Sequence, residues 1–112
     1  MTTMNPISID PAITALVLID LQQSNVAREL APHSPQQVVA HSAQLAEAMR
    51  QRGGTVVYVR VLIKELLPLS ADVALSRPAS APPLPENATD LVPEAGCQES
   101  DIVIAKRQWG AF

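Results

Sequence analysis

The sequence predicts an α/β fold built on a parallel sheet, and three observations point there. A continuous apolar run, Thr14-Ala-Leu-Val-Leu-Ile-Asp20, is followed by a capped amphipathic stretch between Ser34 and Gly53-Gly54. A second apolar run, residues 55–62, comes directly after the glycines, and a third, residues 101–106, lies near the end of the chain. Strand, helix and strand in that order form one βαβ unit, so the first two strands are parallel and the crossover is right-handed. Three strands and one clear helix make about half of a doubly wound sheet, which is normally built from two such halves.

Each element has a local reason. The first run is short, rich in branched residues and unbroken by polar positions, as expected of a strand buried on both faces. Residues 21–32 are polar and irregular, with room for one helical turn. At Ser34-Pro35-Gln36-Gln37 the serine can cap a helix, the proline suits its first position, and Gln37 completes a capping box. Val38, Ser42, Leu45 and Met49 then recur at helical spacing, flanked by Val39, Ala43 and Ala46, which predicts one apolar face. Gly53 and Gly54 end the helix, because glycine accepts the left-handed cap conformation. Thr55-Val-Val-Tyr-Val-Arg-Val-Leu62 has the β-branched content of a strand. Residues 64–100 hold six of the ten prolines and are read as a long loop.

Composition narrows the function. The 112 residues fit a single domain, and 47% hydrophobic content argues against disorder. A net charge of −3, with no basic stripe, gives nucleic-acid binding no support. No secretory leader pattern is visible, and the longest strongly apolar run, residues 15–19, is far short of the roughly twenty residues needed to span a bilayer. A cytoplasmic protein is expected, with no membrane and no nucleic-acid partner.

In an open parallel sheet, ligands gather beyond the carboxyl ends of the strands. Asp20, Arg60 and Lys106 map to that edge, one from each strand. With neighbouring strands about 4.8 Å apart, the first and third lie about 10 Å apart if the second is between them, a gap a lysine can largely span. An acid and a base so placed can handle protons or clamp a developing charge. They can equally be charges placed where strands leave the core, and Arg60 can neutralise Asp20 or pair elsewhere. Other chemistries lack their residues. After the first strand the sequence is Asp20-Leu-Gln-Gln-Ser-Asn25, with no glycine-rich dinucleotide fingerprint, and no phosphate-binding P-loop occurs anywhere. Gln22 stands where an Asp-x-Asp phosphatase needs its second acid, and a receiver domain would need an acidic pair near Asp20. His41 is expected to pack on the helix face, and His33 lies in a turn before the helix. Cys97 precedes the third strand while Lys106 ends it, and residues 101–106 alone span about 17 Å at about 3.3 Å per residue, so no catalytic role is assigned to Cys97.

The runs Ala15-Leu-Val-Leu-Ile-Asp20-Leu-Gln22 and Asp101-Ile-Val-Ile-Ala-Lys106-Arg-Gln-Trp-Gly-Ala-Phe112, separated by a βαβ unit, resemble the N-terminal half of isochorismatase-like cysteine hydrolases. The resemblance covers the chain from about residue 12. It implies a three-layer Rossmann-like architecture with a six-stranded parallel sheet in the order 3-2-1-4-5-6. It implies hydrolysis of a small amide-like (C–N) or related substrate, with Asp20 as general base and Lys106 as its charged partner. The third member of such a site is a cysteine at the start of a helix after the fourth strand, whose thiolate attacks the carbonyl to form an acyl-enzyme that water releases. Arg60, Gln22 and Trp109 are expected on the substrate side.

Three departures follow. No fourth strand or nucleophile segment is present. Val61-Leu-Ile-Lys64 offers none of the Asp/His ligands found after the second strand in nicotinamidase-like members, so no metal and no cofactor are expected. The wording Lys106-Arg-Gln-Trp-Gly-Ala-Phe112 resembles a subgroup in which glycine can replace the nucleophilic cysteine. The expectation is therefore a single, truncated domain over residues 1–112, inactive alone, with a small-molecule substrate and homo-oligomeric assembly in the intact form. In the order 3-2-1-4 the first strand would be an uncharged open edge, which natural sheets avoid exposing. Trp109 and Phe112 would begin a segment packing beneath the absent half. The alternative is a non-catalytic α/β binding or assembly module in which Asp20, Arg60 and Lys106 form a structural charge cluster.

Overall fold

The computed structural model describes residues 4–68, 70, 72–73 and 78–111. Its elements are β1 (Ala15–Ile19), α1 (Gln23–Val26), α2 (Pro35–Gln51), β2 (Thr55–Val61) and β3 (Ile102–Lys106), with single 3-10 turns at Pro11–Ile13, Ile63–Glu65 and Pro93–Ala95. The sheet runs β1-β2-β3 with both pairings parallel, so β2 is central, as in the expected order 3-2-1. The packing expected of Phe112 lies outside the described residues, as does part of the proline-rich stretch.

Helix α2 starts where its sequence says. The Ser34 hydroxyl accepts from the Gln37 backbone N–H and the Gln37 side chain accepts from the Ser34 N–H, both at 3.2 Å. Gly53 takes φ +76°, and the Gly54 N–H donates to the Met49 carbonyl at 2.8 Å, closing the last turn. Ser34→Ala is expected to lower stability by about 1 kcal/mol, read as a lower midpoint in thermal unfolding followed by circular dichroism.

The buried face of α2 is rotated from the expected stripe. Pro35, Val39, Ser42 and Ala46 are buried, whereas Val38 and Leu45 are 42% and 55% exposed. His41 is exposed as well, not packed. Periodicity identified the apolar residues correctly, but the sheet below the helix decides which of them are covered. Val38 points toward the outer side of β1, where it shares a cavity with Ile19, Asp20 and Leu30. Leu45, seven residues on, occupies the same side of the helix. Nothing among the described residues lies over them.

The core is the layer between α2 and one face of the sheet: Leu18, Leu21, Val39, Ala46, Val56, Tyr58, Val92 and Ala95. Three of the most buried residues, Ala88, Val92 and Ala95, come from the stretch read as a loop. That stretch needs no periodicity, because backbone hydrogen bonds fix it: Ser24 N–H to Ala88 O, Gln23 N–H to Asp90 O, and Val92 N–H to Leu21 O. Gln22 and Leu91 form an isolated antiparallel bridge within this contact.

On the opposite face Val57, Val59 and Val61 of the central strand are buried but the outer strands are exposed, contrary to the expectation that the first strand is buried on both sides. Side chains alternate across a strand, and the register places Val17 and Ile19 beside Val57 and Val59, which in turn adjoin Ile102 and Ile104. On this face Val17, Ile19, Ile102 and Ile104 are 49%, 58%, 49% and 40% exposed. Among the described residues no helix covers it.

Candidate functional site

The carboxyl edge of the sheet brings Asp20 and Lys106 together. Lys106 is the last residue of β3 and pairs in register with Val61, so it belongs to the open face. Its side chain is largely buried, with Nζ 3.4 Å from Asp20 Oδ1 and donating to the Trp109 carbonyl at 3.0 Å.

Asp20 reaches the lysine by an unusual backbone. Its N–H makes the last ladder bond, to the Val59 carbonyl at 2.8 Å, and then the residue turns out of the sheet at φ +62°. Among non-glycine residues, aspartate and asparagine tolerate this left-handed region best. The Asp20 carbonyl, released from the ladder, accepts from the Asn25 side chain at 3.0 Å. Oδ1 is buried and makes no hydrogen bond among the described residues, its sole close charge being Lys106. A mainly apolar cavity of about 230 Å³ lies between the end of β1 and α2, with Asp20 among its lining residues beside Ile19, Leu30 and Val38. The arrangement offers a proton acceptor and a fixed positive charge side by side. Non-glycine backbones held in sparsely populated conformations concentrate at functional sites.

The other expected residues are placed differently. Arg60 shares the α2 face with Tyr58, on the far side of the sheet from Lys106, as the alternation along β2 requires. Its guanidinium donates to the Thr89 carbonyl at 3.2 Å and lies 3.5 Å from Asp90, while its Nε is buried without a hydrogen-bond partner among the described residues. It pairs away from Asp20. Gln22 is fully buried and both ends of its carboxamide are taken up by backbone: Oε1 accepts from Val61 N–H at 2.8 Å, and Nε2 donates to Val61 O at 3.1 Å and Ala88 O at 3.4 Å. It is therefore closed to a ligand in this arrangement. The Trp109 ring is 72% exposed, and it is the backbone carbonyl of this residue that meets the site.

A second charged cluster, not anticipated from the sequence, sits at the opposite edge. Arg50, near the end of α2, makes a two-pronged contact with Asp101, Nε to Oδ1 at 3.0 Å and Nη2 to Oδ2 at 2.5 Å. The same Nη2 reaches the Tyr58 hydroxyl and the Gly96 carbonyl, and the Tyr58 hydroxyl donates to Ala95 O at 2.7 Å. Hydrogen bonding to Arg50, more than any other influence, holds the Asp101 carboxyl below the usual aspartate range, and the same contact raises Arg50 further. Burial pushes the Tyr58 hydroxyl up. The cluster ties α2, β2, β3 and the Pro93–Ala95 turn together. Its only sequence signal is an acid immediately before β3 and an arginine in the last helical turn, 51 residues apart. Cys97 belongs to this end. Its thiol is pushed up by burial and by the Asp101 charge, which disfavours the nucleophilic thiolate.

Among the described residues no group of three or more His, Cys, Asp or Glu side chains could hold a metal ion. No helix among them is long and apolar enough to cross a membrane.

Residues 14–112 match the model of the isochorismatase domain. The chain is 42% identical over 105 residues to the uncharacterized isochorismatase family protein YecD of Escherichia coli O157:H7, covering 88% of this chain and 53% of that one. It is 34% identical over 113 residues to the uncharacterized isochorismatase family protein YwoC of Bacillus subtilis (strain 168), covering 97% and 56%. The solved structure of an isochorismatase family protein from Burkholderia thailandensis superposes with a TM-score of 0.75 at 36% identity, over 94% of this chain and 55% of that one. The chain thus spans about half the length of the relatives it matches. The Asp20 and Lys106 runs both lie within the matched residues, on the parallel α/β sheet that the solved structure shares. The chain belongs to the isochorismatase family.

Proposed function

We propose that this chain carries two members of a hydrolase site for a small amide-like (C–N) or related substrate, Asp20 as general base and Lys106 as its charged partner. The observation that carries the reading is the Asp20–Lys106 contact at 3.4 Å, made possible by the left-handed turn at Asp20. Asp20 would take the proton of an attacking nucleophile and return it to the leaving nitrogen. Lys106 would hold a positive charge against the carboxylate while the tetrahedral intermediate forms. Among the described residues none beside the pair suits the nucleophile, since Cys97 belongs to the other end of β3. The nucleophile would come from a segment corresponding to the part of the relatives that this chain does not match.

The open surfaces support an additional segment. Val38 and Leu45 stay exposed along one side of α2, and on the sheet face away from α2 the outer-strand residues Val17, Ile19, Ile102 and Ile104 stay partly exposed among the described residues. A second copy paired along β1 could cover that edge and leave the face bare, so a segment adding both a strand and a layer fits better. The wording from Lys106 to Phe112 suggests the subgroup in which glycine can stand at the nucleophile position. The protein would be a cytoplasmic homo-oligomer. Trp109, exposed beside Lys106, is the best placed of the substrate-side candidates.

The test is hydrolysis by the chain alone, assayed against a panel of small primary amides. No turnover above buffer is expected. Turnover that Asp20→Asn abolishes would show that a nucleophile lies within these residues.

A further inference from the structure

The end of β2 shows how Asp20 can leave the sheet without breaking it. Pairing between β1 and β2 stops at Ile19 and Val59, whereas pairing between β2 and β3 continues two residues further, to Val61 and Lys106. In a parallel ladder the N–H and C=O of one residue face the same neighbour. Val59 faces β1, since its carbonyl accepts from Asp20 N–H, and Val61 therefore faces the same way. Leu62, one residue on, faces β3, its N–H donating to the Lys106 carbonyl at 2.8 Å. An extended β1 would satisfy Val61 with backbone from Asp20 and Gln22. The left-handed turn removes that backbone, and two buried polar groups would be left unpaired, each at the cost of its lost hydration.

The Gln22 side chain fills the gap. Its Oε1 accepts from Val61 N–H at 2.8 Å and its Nε2 donates to Val61 O at 3.1 Å, one acceptor and one donor in the places of a peptide unit. We propose that Gln22 is a positioning residue whose carboxamide replaces the missing β1 peptide opposite Val61, so that Asp20 can turn out of the ladder and meet Lys106. The proposal rests on the reading of Asp20 and Lys106 as the working pair. Gln22 is joined to both members: Asp20 is two residues before it, and Val61 is the register partner of Lys106. Only an amide of this length offers both a donor and an acceptor. Leucine offers neither, and an ionised glutamate keeps the acceptor while losing the donor.

The test is a double-mutant cycle on unfolding equilibria, which needs no catalytic activity and so fails separately from the proposed reaction. Asp20→Asn, Lys106→Met and their combination are measured in the wild-type chain and in Gln22→Leu, Gln22→Glu and Val39→Ala backgrounds. In the wild type and in Val39→Ala, whose substitution lowers stability within the core, the pair is expected to couple by about threefold or more in the unfolding constant. In Gln22→Leu the coupling falls to unity and the Val61 amide exchanges with solvent at least tenfold faster. Gln22→Glu keeps Val61 N–H protected and shows reduced coupling, and it decides the matter alone if the leucine variant does not fold. Full coupling in the Gln22 backgrounds overturns the proposal. So does equal loss in Val39→Ala, which would make the effect one of stability alone, and so does absence of coupling in the wild type.

Discussion

Replacing Asp101 with alanine is expected to lower the unfolding free energy by about 3 kcal/mol, the low end of the usual cost of removing one partner of a buried ion pair, because Arg50 keeps Glu47 at 3.4 Å. The Arg50 and Asp101 side chains are 15% and 3% exposed, so the guanidinium, left with the exposed Glu47 on one side only, would have little water to replace its lost carboxylate. The loss reaches beyond one pair. Asp101 also accepts from Gln98 N–H at 2.8 Å, and Arg50 anchors the Gly96 carbonyl, so the turn that feeds β3 loses its hold on α2. Denaturant unfolding of Asp101→Ala beside the wild type measures it.

The same cluster sets an acid limb on stability. Because Arg50 holds the folded Asp101 carboxyl below its ordinary range, the unfolded chain binds that proton more readily. The contribution of Asp101 is therefore complete above the unfolded aspartate pKa, about 3.9, and is lost as pH falls through the depressed folded value. In Asp101→Ala this part of the acid dependence disappears. Tyr58 acts at the other end. Its folded pKa is raised by burial, so its contribution is present below an unfolded value of about 10 and is lost as pH rises through the folded one.

The largest expected effect on chemistry lies at the other edge of the sheet. In a hybrid whose added segment supplies the proposed nucleophile, Asp20→Asn is expected to reduce turnover by about 10²–10⁴-fold, the usual range for removing a general base. Asparagine accepts the left-handed backbone nearly as well as aspartate, so the fold should survive and the loss should fall on kcat. Lys106→Met should produce a comparable loss while leaving Asp20 Oδ1 buried with no charge beside it.

Much of this was written locally in the sequence. The Ser34–Gln37 box, the glycines after α2 and the β-branched run of β2 each act through neighbours in the chain, and each forms where expected. The Asp20–Lys106 meeting was also legible, because parallel strands place their carboxyl ends along one edge. Less visible was anything set by distant packing. Val38 and Leu45 belong to a regular apolar stripe, yet the sheet covers a stripe rotated from theirs. Ala88, Val92 and Ala95 carry no periodic signal, because the stretch that presents them is held by backbone hydrogen bonds. Arg50 and Asp101 look like ordinary charges until the fold closes the distance between them. Gln22 resembled a ligand-facing residue by its place beside Asp20, and only the unequal lengths of the two strand pairings reveal what its side chain replaces.

The central claim is that Asp20 and Lys106 are working residues awaiting a nucleophile from a segment that this chain does not match. A hybrid tests it most directly: this chain followed by the part of a longer isochorismatase family relative that lies outside the match, chosen to carry a cysteine at the start of the helix after the fourth strand. Amide hydrolysis is measured for the hybrid and for its Asp20→Asn and Lys106→Met variants. The account predicts turnover in the hybrid that falls at least about 100-fold in both variants while each keeps its fold. Hydrolysis indifferent to Asp20→Asn, or a folded hybrid with no hydrolysis, would contradict it.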